Sequence, residues 1–139
     1  MLELSTVVAA DPADVWRAFT EPALTESWLG DFRMTSRWRV GDPFVIEGRQ
    51  LNGHDHTSTG TVLAAEPPTL LRFDHWSSLW RVPDLPDNRA VMTVRIEPDG
   101  DRTRVTLIHA LPVVEAIVPH ARFFWSVALV QLQKLLAAP

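Results

Sequence analysis

The spacing of apolar side chains changes period as the chain proceeds, and each change marks an element. Over residues 2–9 the pattern alternates, with Leu4, Thr6 and Val8 on one face and Glu3, Ser5 and Val7 on the other, which predicts a half-buried strand. At Asp11-Pro12 the period lengthens. Asp11 is a helix N-cap with proline at the first helical position, and Val15 and Phe19 then fall four apart beside Trp16. Leu24 and Trp28 repeat that spacing after Pro22, and Gly30 ends this second short helix.

Beyond Gly30 the pattern predicts six strands. In the first, Arg33, Arg37 and Arg39 alternate with Met34, Ser36, Trp38 and Val40, giving a strand with a basic outer face that turns at Val40-Gly41-Asp42. Phe44, Ile46 and Gly48 alternate with Val45, Glu47 and Arg49, and Asn52-Gly53 is a strong hairpin signal. The return over 57–66 ends at Pro67-Pro68, and a strand over 70–76 follows. Residues 77–88 read as an irregular loop, because Pro83 and Pro86 fall close to Trp80 and Leu85. In the final hairpin Ala90, Met92, Val94 and Ile96 share a face. Pro98-Asp99-Gly100-Asp101 turns the chain, and Val105, Leu107, His109 and Leu111 return on one side.

Residues 120–138 are helical in pattern, with a narrow polar strip of Arg122, Ser126 and Gln133 against Phe124, Trp125, Ala128, Leu132, Leu135 and Leu136. Such a helix needs burial on most sides, and a seven-stranded antiparallel sheet has one greasy face to cover. Curving the sheet around the helix satisfies both, so the expected fold is α+β, one domain over 1–139 with two short helices after the first strand.

Composition narrows the function. The 139 residues are 46% hydrophobic and 22% charged, ordinary for a folded domain. A formal net charge of -4 with no basic run argues against nucleic acid. Without cysteine there is no disulfide or thiolate chemistry, and no segment has the length and apolarity of a bilayer span, which together suggest a cytoplasmic protein.

A family resemblance emerges from motifs in order. Asp11-Pro12-Ala13-Asp14-Val15-Trp16-Arg17-Ala18-Phe19-Thr20-Glu21-Pro22 and Trp28-Leu29-Gly30 resemble the opening of the family related to the activator of heat-shock protein 90 ATPase. The likeness continues through Val40-Gly41-Asp42-Pro43-Phe44, Gly60-Thr61-Val62, Glu66-Pro67-Pro68, Leu71-Arg72-Phe73 and Thr103-Arg104-Val105-Thr106-Leu107-Ile108-His109, and it closes with Trp125 and the last helix's leucines. That family sits in the START-like (SRPBCC) superfamily, which shares its helix-grip fold with the major birch pollen allergen. The resemblance implies this fold. It leaves three roles open: a carrier of a small hydrophobic molecule, a co-chaperone-like stimulator of a heat-shock ATPase, and a polyketide-cyclase-like enzyme. His75 stands where the family more often has tryptophan, and Asp42 where a second glycine is common.

The expected ligand site is the hollow between sheet and helix, lined by Phe44, Ile46, Phe73, Met92, Val94, Leu107, Phe124 and Ala128. His75 shares its strand face with Leu71 and Phe73, and His109 with Val105 and Leu107, so both imidazoles point inward to orient a ligand or to serve as acid or base; the alternative is a satisfied structural histidine. Gln131, opposite Arg122 and Ser126 on the wheel, is a candidate interior anchor, or else meets water at the cavity edge. His54-Asp55-His56 reads as a solvated hairpin tip rather than a metal site. Trp76, Trp80 and Leu85 form either a lid or a loop folded on its own tryptophans. With no phosphate loop, nucleophile elbow or acidic pair, no catalytic residue and no cofactor is assigned. The expected partners are a lipid, polyketide or aromatic molecule and, by resemblance, a chaperone; the chain is expected to be a monomer or homodimer.

Overall fold

Our computed structural model describes residues 1–30, 32–49, 55–77, 80–110 and 117–137. β1 (Leu2–Val8) is followed by α1 (Pro12–Thr20) and α2 (Pro22–Trp28), then by β2 (Arg33–Thr35), β3 (Pro43–Arg49), β4 (Asp55–Glu66), β5 (Leu70–Ser77), β6 (Ala90–Asp99), β7 (Arg102–Ala110) and α3 (Ile117–Leu135). One antiparallel sheet joins the strands in the order β1-β7-β6-β5-β4-β3-β2. Consecutive strands neighbour one another except at β1, which crosses to β7 and pairs Leu2 with His109 and Val8 with Thr103. This is the curved sheet and C-terminal helix that the apolar pattern predicts.

The inner face follows from strand alternation, since residues two apart share a side of the pleat. Phe44, Val62, Leu71, Phe73, Met92, Val94, Ile96, Val105 and Leu107 are all buried on it. Aromatic rings then knit the three helices to one another. Trp28 donates its indole N–H to the Ala18 carbonyl at 2.9 Å, lies edge-on to Phe19 and approaches Trp125 of α3. Such pairs add to their area burial through the ring quadrupole, by about 1 kcal/mol each.

Three expectations need correction. The strand expected over 33–40 stops at Thr35, because Trp38 takes a left-handed backbone (φ 57°) and turns its ring inward, donating to the Thr20 carbonyl at 3.0 Å and packing on Phe44. Thus Arg37 and Arg39 lie outside any strand. α3 begins at Ile117, ahead of Pro119, because proline in the first turn costs no helical hydrogen bond.

The third correction concerns how α3 is held. Its buried positions, Ala121, Trp125, Ala128, Leu129 and Leu132, fill only one half of the wheel, while Arg122, Phe123, Ser126, Val127, Val130, Gln131, Gln133 and Lys134 face out. The sheet and the other elements therefore cover one half of the helix and leave the other half exposed. Gln131 is exposed and is no interior anchor, and Leu129 is buried. α3 is also tied to the sheet edge: Gln133 Nε2 donates to Thr6 Oγ1 at 2.6 Å and to the Val7 carbonyl at 3.3 Å. The Asn52-Gly53 turn and His54 lie outside the described residues, though Arg49 opposite Asp55 continues the antiparallel ladder of a hairpin.

Close approach of β4 to β5 depends on Gly60, which pairs with His75; a Cβ there would run into the backbone carbonyl of Asp74. Gly60→Ala is expected to destabilise the protein by about 3 kcal/mol or more. Urea unfolding measures this, and a loss under about 0.5 kcal/mol, typical of unconstrained surface sites, contradicts it.

Candidate functional site

Two inward-facing histidines on non-neighbouring strands meet over β6. His75 pairs across the ladder with Ala90, and His109 with Met92. Both imidazoles lean over β6, where buried Ala90 presents only a methyl group, and their Nε2 atoms come within 3.0 Å with the rings stacked. His75 Nδ1 lies 3.1 Å from Ser58 Oγ on β4, and that hydroxyl in turn donates to the Trp76 carbonyl at 2.9 Å. Ser58, His75 and His109 are all buried.

With His75 neutral, these distances fix where the protons sit. A serine hydroxyl has one proton, and here the Trp76 carbonyl takes it, so Ser58 Oγ accepts from His75 Nδ1–H. A neutral His75 then has a bare Nε2, which accepts from His109 Nε2–H. His109 is left with a bare Nδ1, and among the described residues that buried nitrogen has no hydrogen-bond partner. The reverse assignment gives up the bond to the Trp76 carbonyl and buries an unpaired N–H instead, so it satisfies one contact fewer.

Charge is disfavoured at this end. Burial pushes the His109 pKa down from 6.5 to about 4, so at neutral pH the ring is an uncharged acceptor. Nor does the chain export a proton, because its far end is an amide carbonyl. It can hold and polarise a donor at His109 Nδ1, which favours binding over acid–base turnover.

Aromatic rings surround the pair. Trp125 of α3 stands edge-on to His109 with centroids 6.4 Å apart, Phe124 packs on Trp125, and Phe32 closes on Phe124. Trp80 lies 5.3 Å from the His75 ring and Phe73 6.0 Å. The proline-bearing loop is held down behind them: Trp76 donates its indole N–H to the Val82 carbonyl, and Arg89 bridges Asp84 and Asp74. The tryptophans therefore anchor the loop, leaving Leu85 exposed at its tip.

Of the expected cavity residues, Phe44, Phe73, His75, Met92, Val94, Leu107, His109 and Ala128 are buried, and Ile46 and Phe124 are half-buried. A depression of about 580 Å³ lies elsewhere, at the far end of β1 and β7 between Ala10, Asp14, Arg17, Asp101 and Leu136, and none of the candidates lines it. Ser58 went unnoticed in the sequence, and Ala90 was read only as one of the residues sharing a face of the final hairpin. The available signal was alternation, which puts Ser58 on the same face as Gly60 and Val62 and so marks an inward hydroxyl. Among the described residues no group of three or more potential metal ligands occurs, and no helix is long and apolar enough to cross a membrane.

Comparison with known proteins gives a consistent picture. The model of the family described as Activator of Hsp90 ATPase homolog 1-like protein matches residues 9–137. No curated protein matches significantly. Among solved structures, ChR145 from Cytophaga hutchinsonii is 26% identical over 96% of this chain and 91% of its own, with a TM-score of 0.78. CV1439 from Chromobacterium violaceum is 23% identical over 99% and 98%, with a TM-score of 0.80. A Rhodobacter sphaeroides protein is 24% identical over 97% and 91%, with a TM-score of 0.78.

The depressed pKa of His109 sets a pH dependence. Between about pH 6.5 and 4 the unfolded chain protonates this imidazole and the native protein does not, so the native state binds fewer protons and stability falls as pH falls. The contribution is complete above 6.5 and lost by about 4, a change of about 3 kcal/mol. Urea unfolding at pH 7 and pH 4, for wild type and His109→Phe, isolates it: the variant should lose less stability on acidification, and equal losses contradict the assignment.

Proposed function

The chain belongs to the family of Activator of Hsp90 ATPase homolog 1-like proteins, and we propose that it binds a small, mostly apolar molecule between the curved sheet and α3, beside His75 and His109. The observation that carries this is the unpaired Nδ1 of His109, a buried acceptor among aromatic rings. Leaving such a group unpaired costs about 1–3 kcal/mol, a cost that a ligand donor removes. Mostly apolar surroundings with one or two fixed polar atoms are the usual make-up of small-molecule sites.

The ligand reaches the site past α3, which covers the open side of the sheet through one face and is fastened near its C-terminal end by Gln133. Its N-terminal part, with Phe124 and Trp125, stands over His109. Parting α3 from Phe32 and Trp28 at this end opens a route inward without breaking any strand pairing. We read the protein as a carrier or sensor, since the hydrogen-bonded chain ends at a carbonyl and offers no outlet for a proton.

A second reading is favoured by the outer face of α3, where Phe123, Val127 and Val130 stand exposed on one side of the helix. Exposed apolar patches on proteins commonly mark contact with another protein, and the family's name points to an Hsp90-type ATPase. Both uses are compatible, because they engage opposite faces of one helix.

A thermal-shift and native mass-spectrometry screen against lipids, polyketides and hydroxylated aromatics tests the first reading. A ligand at a hundred times its Kd should raise Tm by roughly 8 °C, give a one-to-one adduct and move the NMR signals of His109 and Trp125. Shifts confined to the surface depression near Asp14 and Asp101 contradict it. For the second, wild-type protein should raise Hsp90-type ATPase turnover and a Phe123→Glu, Val127→Glu double variant should not; an unchanged rate with wild type removes that reading.

A further inference from the structure

The polarity of the buried chain says what kind of ligand the interior takes. We infer that the molecule bound there is a neutral hydroxyarene, a phenol-class compound whose O–H donates to His109 Nδ1 while its ring packs among Trp80, Phe124 and Trp125. It rests on the interior site proposed above and adds the sign and strength of the polar contact.

Each part of that description has a separate cause. The ligand must donate, because the serine proton is committed to the Trp76 carbonyl and, with His75 neutral, the bonds to His75 and His109 then run in one direction only. An anion is excluded, since a carboxylate would set its lone pairs against that of Nδ1, and burial opposes the imidazolium that would relieve the repulsion. A cation donates, but it would surrender its hydration in a site walled by rings, and a buried unpaired charge costs far more than one hydrogen bond returns. A ketone or ether offers only acceptors and leaves Nδ1 as it was. An aromatic body follows from the neighbouring rings, Trp80 beside His75 and Trp125 beside His109 with Phe124 packed on Trp125, which offer a flat guest edge and face contacts. A phenolic hydroxyl is a stronger donor than an alkyl alcohol and joins the ring directly, so one rigid group meets both demands.

The alternative occupant is a single water molecule. A buried water needs two to four polar partners, and an aromatic-walled site gives it few beyond Nδ1. A phenol satisfies the same acceptor with one donor and places apolar surface against the remaining walls.

The test uses wild-type protein and isothermal titration calorimetry with matched probes: phenol and 2-naphthol, their methyl ethers, and benzoate and 2-naphthoate. The hydroxyl compound of at least one size should bind roughly tenfold or more tightly than its ether, with the carboxylate weakest. His109→Phe should bring the hydroxyl compound and its ether to within about twofold while circular dichroism confirms the fold. Ser58→Ala, which frees the hydrogen-bond direction without touching the ligand, should narrow the same ratio. If hydroxyl compound and ether bind equally to wild type, or the carboxylate binds best, the inference is overturned while interior binding stands. If no probe binds and the wider screen also finds no interior ligand, the proposed function fails with it.

Discussion

The hydroxyl of Ser58 carries one proton, and the carbonyl of Trp76 takes it at 2.9 Å. With His75 neutral, that single commitment sets the direction of every following bond: Ser58 accepts from His75, His75 accepts from His109, and the last nitrogen of His109 is buried with no donor to accept from among the described residues. Buried polar groups in proteins are nearly always paired, so an orphan at the end of an otherwise satisfied chain is the informative exception. The surrounding rings make it more so, because a low local dielectric raises both the cost of leaving the acceptor empty and the gain on filling it.

The rest of the architecture holds that chain in place. β5 and β7 are not neighbours, and their histidines meet across β6, where Ala90 pairs with His75 and Met92 with His109, while Gly60 lets β4 close on β5 where His75 stands. The aromatic ladder from Phe19 through Trp28 to Trp125 sets the height of α3 above His109. Arg89, shared between Asp84 and Asp74, fixes the loop that carries Trp80 against His75. Side chains far apart in sequence thus converge on one small volume, and the same helix that covers it presents Phe123, Val127 and Val130 outward.

Much of this was legible in the sequence. Alternation placed the inward faces of β5, β6 and β7, so His75 and His109 were recognisable as interior side chains, and the change of period located all three helices. Two things resisted. The α3 pattern suggested enclosure because its polar strip of Arg122, Ser126 and Gln133 is narrow, and Gln131 was placed inside because it lies opposite Arg122 and Ser126 on the wheel, yet Phe123, Val127 and Val130 stand exposed. Helical periodicity reports which positions share a face and cannot say how wide a face its neighbours reach. The pairing of His75 with His109 and Ser58 was hidden for a different reason: it depends on cross-strand register and on Ala90, neither of which a single strand's pattern encodes. Trp38 broke β2 because burying its ring and bonding the Thr20 carbonyl outweighed the ladder bonds of an edge strand.

Long-range nitrogen–proton NMR of the two imidazoles in the ligand-free protein reads the placement of the protons directly. The predicted spectrum at neutral pH has His109 protonated on Nε2 alone and His75 on Nδ1 alone. A proton on His109 Nδ1, or a positively charged His109, would contradict it.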